Sequence, residues 1–295
     1  ISIAKQVLDL SNIEINLDLI KFLNNTNSVL EIKITSKKNS IKDLTNFLNS
    51  YSFNLPRLII YNQIEKGNIK VLAKIIPDKE NQEKFKYEIE GKITDASLNV
   101  LDKTKVQNIN FNFEIEDQNL ELSKLDFKFN EIKFLSDKIK INKIDKNFKV
   151  DGDLNTQDGL ISAKDIKRYT NINLDFLENK FISGTTKNKF SFSVDKDRKI
   201  KNLNLESAIN FDKIYFDKKF QDLIFLKNGE INAYYNNKNL NIKINSQYQF
   251  INNKYNNKNQ KDKINFNITR QKNNDFEIEV LFKNKKNTIS SSEIK

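Results

Sequence analysis

Apolar residues occupy every second position along most of this chain, and that alternation constrains its fold more than any other feature. Successive side chains of a β-strand point to opposite faces, so each alternating segment makes a strand with one apolar and one polar face. The pattern predicts an all-β protein whose strands follow one another as an antiparallel meander. The clearest alternating segments are Ile13–Leu19, Leu30–Ile34, Ile69–Ile75, Phe85–Ile93, Phe111–Ile115, Phe190–Val194, Leu240–Ile244, Ile264–Ile268 and Phe276–Phe282.

Short polar stretches between these segments predict turns, because Asn and Asp tolerate the left-handed conformation that tight turns need. Residues 24–27 separate Ile13–Leu19 from Leu30–Ile34 and predict a hairpin. Asp117-Gln118-Asn119 predicts another turn. At Ser123-Lys124 the alternation changes phase, which predicts a β-bulge or a short turn within the strand that follows.

Two short segments have the spacing of helices. Within residues 41–48, Leu44 and Leu48 share a face, and Ser40 or Asp43 can cap the first turn. The second segment spans residues 162–169 and begins at a serine that can serve as a cap. Each helix is as consistent with covering one end of a sheet as with a more specific role.

The chain divides, on this pattern, into two parts of one extended β-groove. Glycines near residues 152–159 punctuate the alternation and predict a boundary near Gly159, which gives parts 1–158 and 159–295. Within the second part, residues 252–263 consist almost entirely of Asn, Lys and Gln and predict a polar loop. A polar tail is predicted from Lys283 onwards.

Something must cover the apolar face of every such strand: a second sheet, helices or a ligand. A closed sandwich without lipid, as in a structural or adhesive β-repeat protein, is one interpretation. The other is a curled meander whose apolar inner face forms a groove for acyl chains, favoured by the scarcity of turn residues (6 Gly, 2 Pro) and the recurrence of Phe. The groove hypothesis predicts a lining of Phe111, Phe113, Ile115, Leu125, Phe127, Phe129, Phe190, Phe192, Val194, Leu203, Leu205, Phe211, Ile242, Ile244 and Phe266.

Composition argues against catalysis. The chain has no His and no Cys, which removes the usual general base, the commonest metal ligand and thiolate chemistry. The 6 Gly residues are scattered and make no phosphate-binding loop. Asp151 and Asp153 flank a glycine and are interpreted as a solvated turn. We therefore expect a protein that is not an enzyme and uses no cofactor or metal.

The formal net charge is +11. Because Lys, Asn, Ile, Phe and Tyr are jointly enriched, we attribute much of this charge to an AT-rich genome. A nucleic-acid partner is not expected, since the alternation places Phe and Lys on opposite faces of each strand.

Residues 90–216 resemble the AsmA-like family of bacterial envelope proteins. The likeness lies in the strand that begins at Glu90-Gly91, the strand Asn108-Ile109-Asn110-Phe111-Asn112-Phe113 and the strand that ends at Val150-Asp151-Gly152. Ser162 to Tyr169 is similar to the short helix that interrupts the family's sheet, and Asn202 to Ala208 is similar to another of its strands.

This resemblance implies a bridge-like β-groove in the periplasm that carries phospholipid between the inner and outer membranes. It implies an apolar lining and no active site. Since the chain begins Ile1-Ser2-Ile3 without Met, we expect it to be an internal fragment. The membrane contacts, including an N-terminal helix that anchors the protein to the inner membrane, are then expected in regions outside this fragment.

Overall fold

The chain folds into two compact units, Ile1–Lys149 and Val150–Lys295. The predicted boundary near Gly159 and the observed division both fall within one strand, Asn147–Ser162. A computed structural model describes residues 2–3, 6–24, 28–51, 62–78, 85–100, 104–129, 132–145, 147–162, 181–197, 199–215, 224–236, 239–250, 262–270, 276–283 and 288–292.

Unit 1 is an antiparallel meander in which neighbouring strands of the sheet are neighbours in the chain, apart from one place where a short strand of two residues is inserted. Its sheet has the order β3-β4-β6-β7-β8-β9-β10, with β5 paired to β6, and β1 pairs with β2 separately. The strands are β1 (Ser2–Ile3), β2 (Gln6–Val7), β3 (Leu10–Leu17), β4 (Val29–Ser36), β5 (Asn39–Ser40), β6 (Ile64–Pro77), β7 (Phe85–Val100), β8 (Thr104–Glu116), β9 (Asn119–Phe129) and β10 (Ile132–Ile144).

Unit 2 has the same simple topology, and its strands follow the order β11 to β18 without a crossover. The strands are β11 (Asn147–Ser162, which begins just before the unit boundary), β12 (Phe181–Val194), β13 (Ile200–Tyr215), β14 (Ile224–Asn236), β15 (Asn239–Phe250), β16 (Lys263–Arg270), β17 (Phe276–Lys283) and β18 (Thr288–Ser292).

The prediction of an all-β antiparallel meander with one or two short helices is confirmed. The alternating segment near the start of the chain forms the β3–β4 hairpin, with Ile13 opposite Ile34. The turn predicted at Asp117 joins β8 to β9, where Glu116 pairs with Asn119. The period-two pattern predicts these strands because, in an extended strand, every second side chain points to the same face of the sheet. In this conformation the alternating residues form one apolar face.

Bulges interrupt the strands at residues in the left-handed conformation. Asp95, Asn108 and Lys124 on β7, β8 and β9 have φ between 53° and 54°, and the register shifts beside each of them. The phase change predicted at Ser123-Lys124 is therefore a β-bulge. Because a bulge increases the local twist of its strand, three bulges on neighbouring strands bend the sheet at one place.

The helix predicted near residues 41–48 is present as α2 (Ile41–Tyr51). The Ser40 hydroxyl accepts a hydrogen bond from the backbone N–H of Lys42 at 3.2 Å, as a capping residue does. Of the second predicted helix, Ser162 is the last residue of β11, and residues 163–169 lie outside the described part of the chain.

Three predictions about chain ends and turns need correction. Asp151 and Asp153 do not form a solvated turn, because both are half-buried within β11. Leu19 does not continue the first strand, because β3 ends at Leu17 and a second helix, α1 (Leu19–Leu23), follows. The tail from Lys283 is not wholly irregular, since β18 pairs with β17 and Ile289 lies opposite Phe282. The exposed backbone groups of an edge strand pair with any extended segment nearby, whatever its side chains. Most of the predicted 252–263 loop lies outside the described residues.

Candidate functional site

The sheet of unit 1 carries a continuous apolar face. Residues that pair directly across antiparallel strands share a face, so register alone assigns the side chains. One row crosses six strands and consists of Ile34, Ala73, Ile89, Ile115, Leu120 and Ile141. A second row crosses five strands and consists of Val71, Gly91, Phe113, Leu122 and Ile139.

All six lining residues predicted in unit 1 lie on this face. Phe111 and Phe113 meet edge to face with ring centroids 6.3 Å apart. Phe127 lies opposite Phe134, and their rings stack with centroids 5.2 Å apart. Beyond the bulge at Lys124 the strand still presents its apolar residues to the same side. The six are Phe111, Phe113, Ile115, Leu125, Phe127 and Phe129.

Unit 2 has an apolar face of the same kind, and register and strand alternation place its nine predicted residues there. Phe190 pairs with Leu205, and its ring stacks on Phe192 at a centroid distance of 6.0 Å. A row of Ile209, Ile231, Ile244, Phe266 and Val280 crosses five strands. The nine are Phe190, Phe192, Val194, Leu203, Leu205, Phe211, Ile242, Ile244 and Phe266.

In each unit one phenylalanine covers a glycine of the neighbouring strand. Phe113 pairs with Gly91, and a Cβ on that glycine would lie 2.5 Å from the ring's Cζ. Phe211 pairs with Gly229, where a Cβ would lie 2.6 Å from Cε1 and 2.7 Å from Cε2. Phe113 is 8% exposed and Phe211 3% exposed, whereas the other thirteen predicted lining residues are half-buried. An aromatic ring over a strand glycine replaces the packing that the missing side chain would provide.

One end of the unit 1 face is covered, and we call it the closed end. Ile64, Ile69, Ala96 and Ile109 are buried there. Helix α2 packs against β6 at this end, so that a Cβ on Gly67 would lie 2.6 Å from the Ile41 Cδ1. This position agrees with one of the roles considered for the helix, that of covering an end of a sheet.

The opposite end of the unit 1 face, which we call the open end, is exposed. It is formed where β3 and β6 finish and where β4 and β7 begin, and its large apolar side chains stay in contact with solvent. They are Leu17, Leu30, Phe85 and Tyr87, which are between 39% and 55% exposed. Along the direction of the strands, the apolar side chains of this face therefore change from buried at the closed end to exposed at the open end.

Unit 2 shows the same gradation. Phe211, Ile214, Leu226 and Ile264 form one buried cluster, although β15 lies between β14 and β16. Partly buried residues of β15, Ile244 and Tyr248, pack against this cluster and connect the apolar packing of β14 with that of β16. At the other end of these strands Ile200, which pairs with Val194 of the apolar face, is 62% exposed.

The opposite face of the unit 1 sheet is charged. Glu121 makes ion pairs with Lys138 and, at 3.7 Å, with Lys140. Hydrogen bonding from Lys138 holds the pKa of the Glu121 carboxyl below its ordinary value. Lys74 pairs with Glu88 at 3.2 Å, which raises the pKa of the lysine. Apolar and charged groups are thus separated by the sheet itself, as the alternation predicts.

A polar cluster within the apolar face of unit 2 is missing from the sequence-based prediction. The Thr186 N–H donates to the buried Thr156 hydroxyl at 3.1 Å, and the Asn188 side-chain amide donates to the Thr186 hydroxyl at 2.9 Å. The Ser207 hydroxyl donates to the Asn188 side-chain Oδ1 at 2.6 Å. The sequence does contain a sign of this cluster, because the apolar alternation is lost between Gly184 and Phe190. The two positions of the apolar face between them are Thr186 and Asn188, and both are polar.

Comparison of the chain with protein-family models, with curated proteins and with solved structures gives no match. The resemblance to the AsmA-like family therefore stays a prediction. Among the described residues, no group of three or more acidic side chains is arranged to hold a metal ion. Neither α1 nor α2 is long and apolar enough to cross a bilayer, and no other helix in the described ranges is.

Proposed function

We propose that the apolar face of each unit binds the acyl chains of phospholipids, and that the chain is a segment of a bridge-like lipid transfer protein related to the AsmA-like family. The observation that carries the proposal is the open end of the apolar face. At that end four large apolar side chains, Leu17, Leu30, Phe85 and Tyr87, are between 39% and 55% exposed. An ordinary closed core would bury such side chains.

The energetic argument follows from the exposed area. Apolar surface in contact with water is unfavourable by roughly 25 cal/mol per Å². A row of Ile, Leu and Phe side chains across five or six strands provides a surface that an acyl chain can cover. The ion-paired opposite face meanwhile keeps the sheet hydrated. The pattern matches a carrier of apolar chains with a charged exterior.

The resemblance to the AsmA-like family extends the proposal to the cellular location of the protein and the route of lipid transport. On this basis we propose that the protein lies in the periplasm and that phospholipid moves along its apolar faces between the inner and outer membranes. The proposal includes no catalytic step and no cofactor. Its chemistry is the transfer of acyl chains from one apolar surface to another.

The first test compares two neighbouring residues that face opposite ways. Phe127 lies on the apolar face, and Lys128 is exposed on the charged face, opposite Lys133. We expect Phe127→Asp to abolish most uptake of a fluorescent fatty acid, because a carboxylate on the face opposes acyl binding. We expect Lys128→Asp to leave uptake near that of the unchanged chain. Equal uptake by the two variants would refute the assignment of the faces.

A second measurement guards against misfolding of Phe127→Asp. The photo-crosslinking amino acid p-benzoylphenylalanine replaces Phe127 by another aromatic side chain, and the same residue is placed at Lys128 as the control. After expression and irradiation, mass spectrometry should find phospholipid crosslinked at position 127 and little at position 128. Purification with no lipid bound and no crosslink at either position would contradict the proposed function.

A further inference from the structure

Helix α1 presents its apolar side chains to solvent. Leu19 is 70% exposed, Ile20 74%, Phe22 56% and Leu23 79%. The helix contains no buried residue. Four consecutive or nearly consecutive large apolar residues at this exposure are unusual, because isolated exposed side chains are common but contiguous apolar patches mark interaction sites.

The helix is held in place by its cap, not by packing of its own side chains. The Asp18 carboxylate accepts hydrogen bonds from the backbone N–H groups of Ile20 and Lys21, each at 3.1 Å. The Asp18 N–H donates to the Ser28 carbonyl at 2.7 Å, which closes the loop where β3 ends. A carboxylate at this position satisfies N–H groups that a helix start leaves without partners. The sequence thus builds a helix whose apolar side chains contribute little to folding.

The apolar side chains cover most of one side of α1. Leu19, Phe22 and Leu23 share a face by the three-and-four spacing, and Ile20 lies about 100° further round. Lys21 lies on the side away from Leu19 and Leu23. This arrangement is that of a segment lying in a membrane interface, where apolar residues enter the acyl region and a lysine stays among the headgroups.

The helix continues the open end of unit 1. It begins at Leu19, with only Asp18 between it and Leu17. The exposed residues Leu17, Leu30, Phe85 and Tyr87 lie at that same end of the sheet. On β3 itself Ile13 and Ile15 are 47% and 56% exposed. The exposed apolar surface therefore runs from α1 onto the unit 1 face without a break in the chain.

We propose that α1 inserts into the surface of an anionic phospholipid bilayer and brings the open end of unit 1 against it. The net charge of +11 complements anionic headgroups. A fluid acyl layer can surround side chains that extend over more than one side of a short helix, whereas a protein groove covers a single stripe. Transfer of acyl chains from this bilayer onto the unit 1 face rests on the proposed function, but insertion of α1 does not.

The test is flotation of the whole chain with vesicles. One set of vesicles is phosphatidylcholine and the other is phosphatidylcholine mixed with phosphatidylglycerol. We expect binding to the anionic vesicles, and we expect the double variant Ile20→Asp with Leu23→Asp to bind on the order of 100-fold more weakly, because two side chains lose their burial. Since neither residue is buried, the variant should keep the circular dichroism spectrum of the unchanged chain.

A matched control carries the same change of charge elsewhere in unit 1. Ile144 is 51% exposed and Phe148 43% exposed, and both lie far along the sheet order from β3. The double variant Ile144→Asp with Phe148→Asp should bind anionic vesicles as the unchanged chain does. Equal weakening in both double variants would overturn the proposal, because net charge alone would then explain binding.

Uptake of a fluorescent fatty acid without vesicles separates this inference from the proposed function. The Ile20→Asp, Leu23→Asp variant should retain uptake while it loses vesicle binding, and Phe127→Asp should do the reverse. If no vesicle binding is observed for the unchanged chain, the insertion of α1 is refuted whatever the uptake. Light scattering that finds a dimer, dissociated by the α1 substitutions, would also overturn it in favour of an interface between copies.

Discussion

The contact between Phe211 and Gly229 offers a direct test of how the unit 2 face is packed. Replacing a strand glycine by alanine ordinarily stabilises a protein by about 0.5–1 kcal/mol, because the unfolded chain loses freedom. At Gly229 the new methyl group meets ring atoms Cε1 and Cε2 at 2.6 and 2.7 Å. Phe211 is 3% exposed and cannot move into solvent. Overpacking of this kind costs about 1–3 kcal/mol, so Gly229→Ala should destabilise by roughly 1.5 kcal/mol.

The effect of Gly229→Ala on stability should change sign when the Phe211 ring is removed. The three atoms nearest to the added Cβ all belong to the Phe211 ring, so Phe211→Leu removes the conflict at its source. In that background Gly229→Ala should be neutral or stabilising by about 0.5 kcal/mol. The coupling between the two positions is then about 2 kcal/mol, within the range found for residues in contact.

Gly91 provides the control for this cycle. Its added Cβ would meet the Phe113 Cζ at 2.5 Å but also the backbone oxygen of Lys70 at 2.6 Å. Because Phe113→Leu cannot move that oxygen, Gly91→Ala should stay destabilising in both backgrounds. Urea unfolding followed by circular dichroism measures all variants, and hydrogen exchange of β13 and β14 assigns the Gly229 effect to unit 2. An equal effect of Gly229→Ala with and without the ring would refute the packing argument.

Two further predictions concern unit 1. Lys124 has a φ of 54°, so Lys124→Gly should raise the free energy of unfolding by about 0.5–1.5 kcal/mol in urea melts, whereas Lys124→Val should lower it. Because the pKa of Glu121 is lowered in the folded state, its ion pair with Lys138 stabilises the fold above the ordinary glutamate pKa. That contribution is lost as the pH falls through the lowered pKa. In Lys138→Gln, NMR titration should find the Glu121 pKa raised towards its ordinary value.

The strands and the apolar faces were predictable because a single physical rule produces both. Ile89 and Phe113 alternate with polar residues, and the strand conformation alone places them on one side. The bulge at Lys124 was predictable for the same reason, since a phase change must be absorbed by an extra residue if the face is to stay apolar. The three-and-four spacing of Leu44, Phe47 and Leu48 likewise predicted α2.

Helix α1 was not predictable from apolar periodicity. Leu17 and Leu19 continue the alternation of β3, and a helix of five residues is too short for its own period to appear. The local hydrogen bonds of Asp18 decide the conformation instead. A cap of this kind competes with strand pairing through backbone groups, which leave no trace in the apolar pattern.

The polar cluster of unit 2 was not predictable either, because the register of the strands brings its residues together. Asn188 lies opposite Ser207, and Thr186 and Thr156 exchange hydrogen bonds between neighbouring strands. No residue in this set identifies its partner by sequence spacing, since the partners lie on three different strands. In lipid or in a closed core, hydrogen-bonded polar groups are tolerated where unpaired ones are costly. The cluster therefore interrupts the apolar face without exposing unsatisfied groups to it.

The change from buried apolar side chains at one end of each face to exposed ones at the other end relates the packing of the sheet to the proposed function. At the closed end of unit 1, bulges and α2 bend and cover the sheet, and Ile64 and Ala96 are buried. At the open end nothing in the described part of unit 1 covers Phe85 or Tyr87 to the same degree. If folding alone determined the pattern, the largest side chains would occupy the buried end. Under the proposed function, acyl chains would complete the packing of the large apolar residues at the exposed end, and α1 would lie at the end where those chains enter.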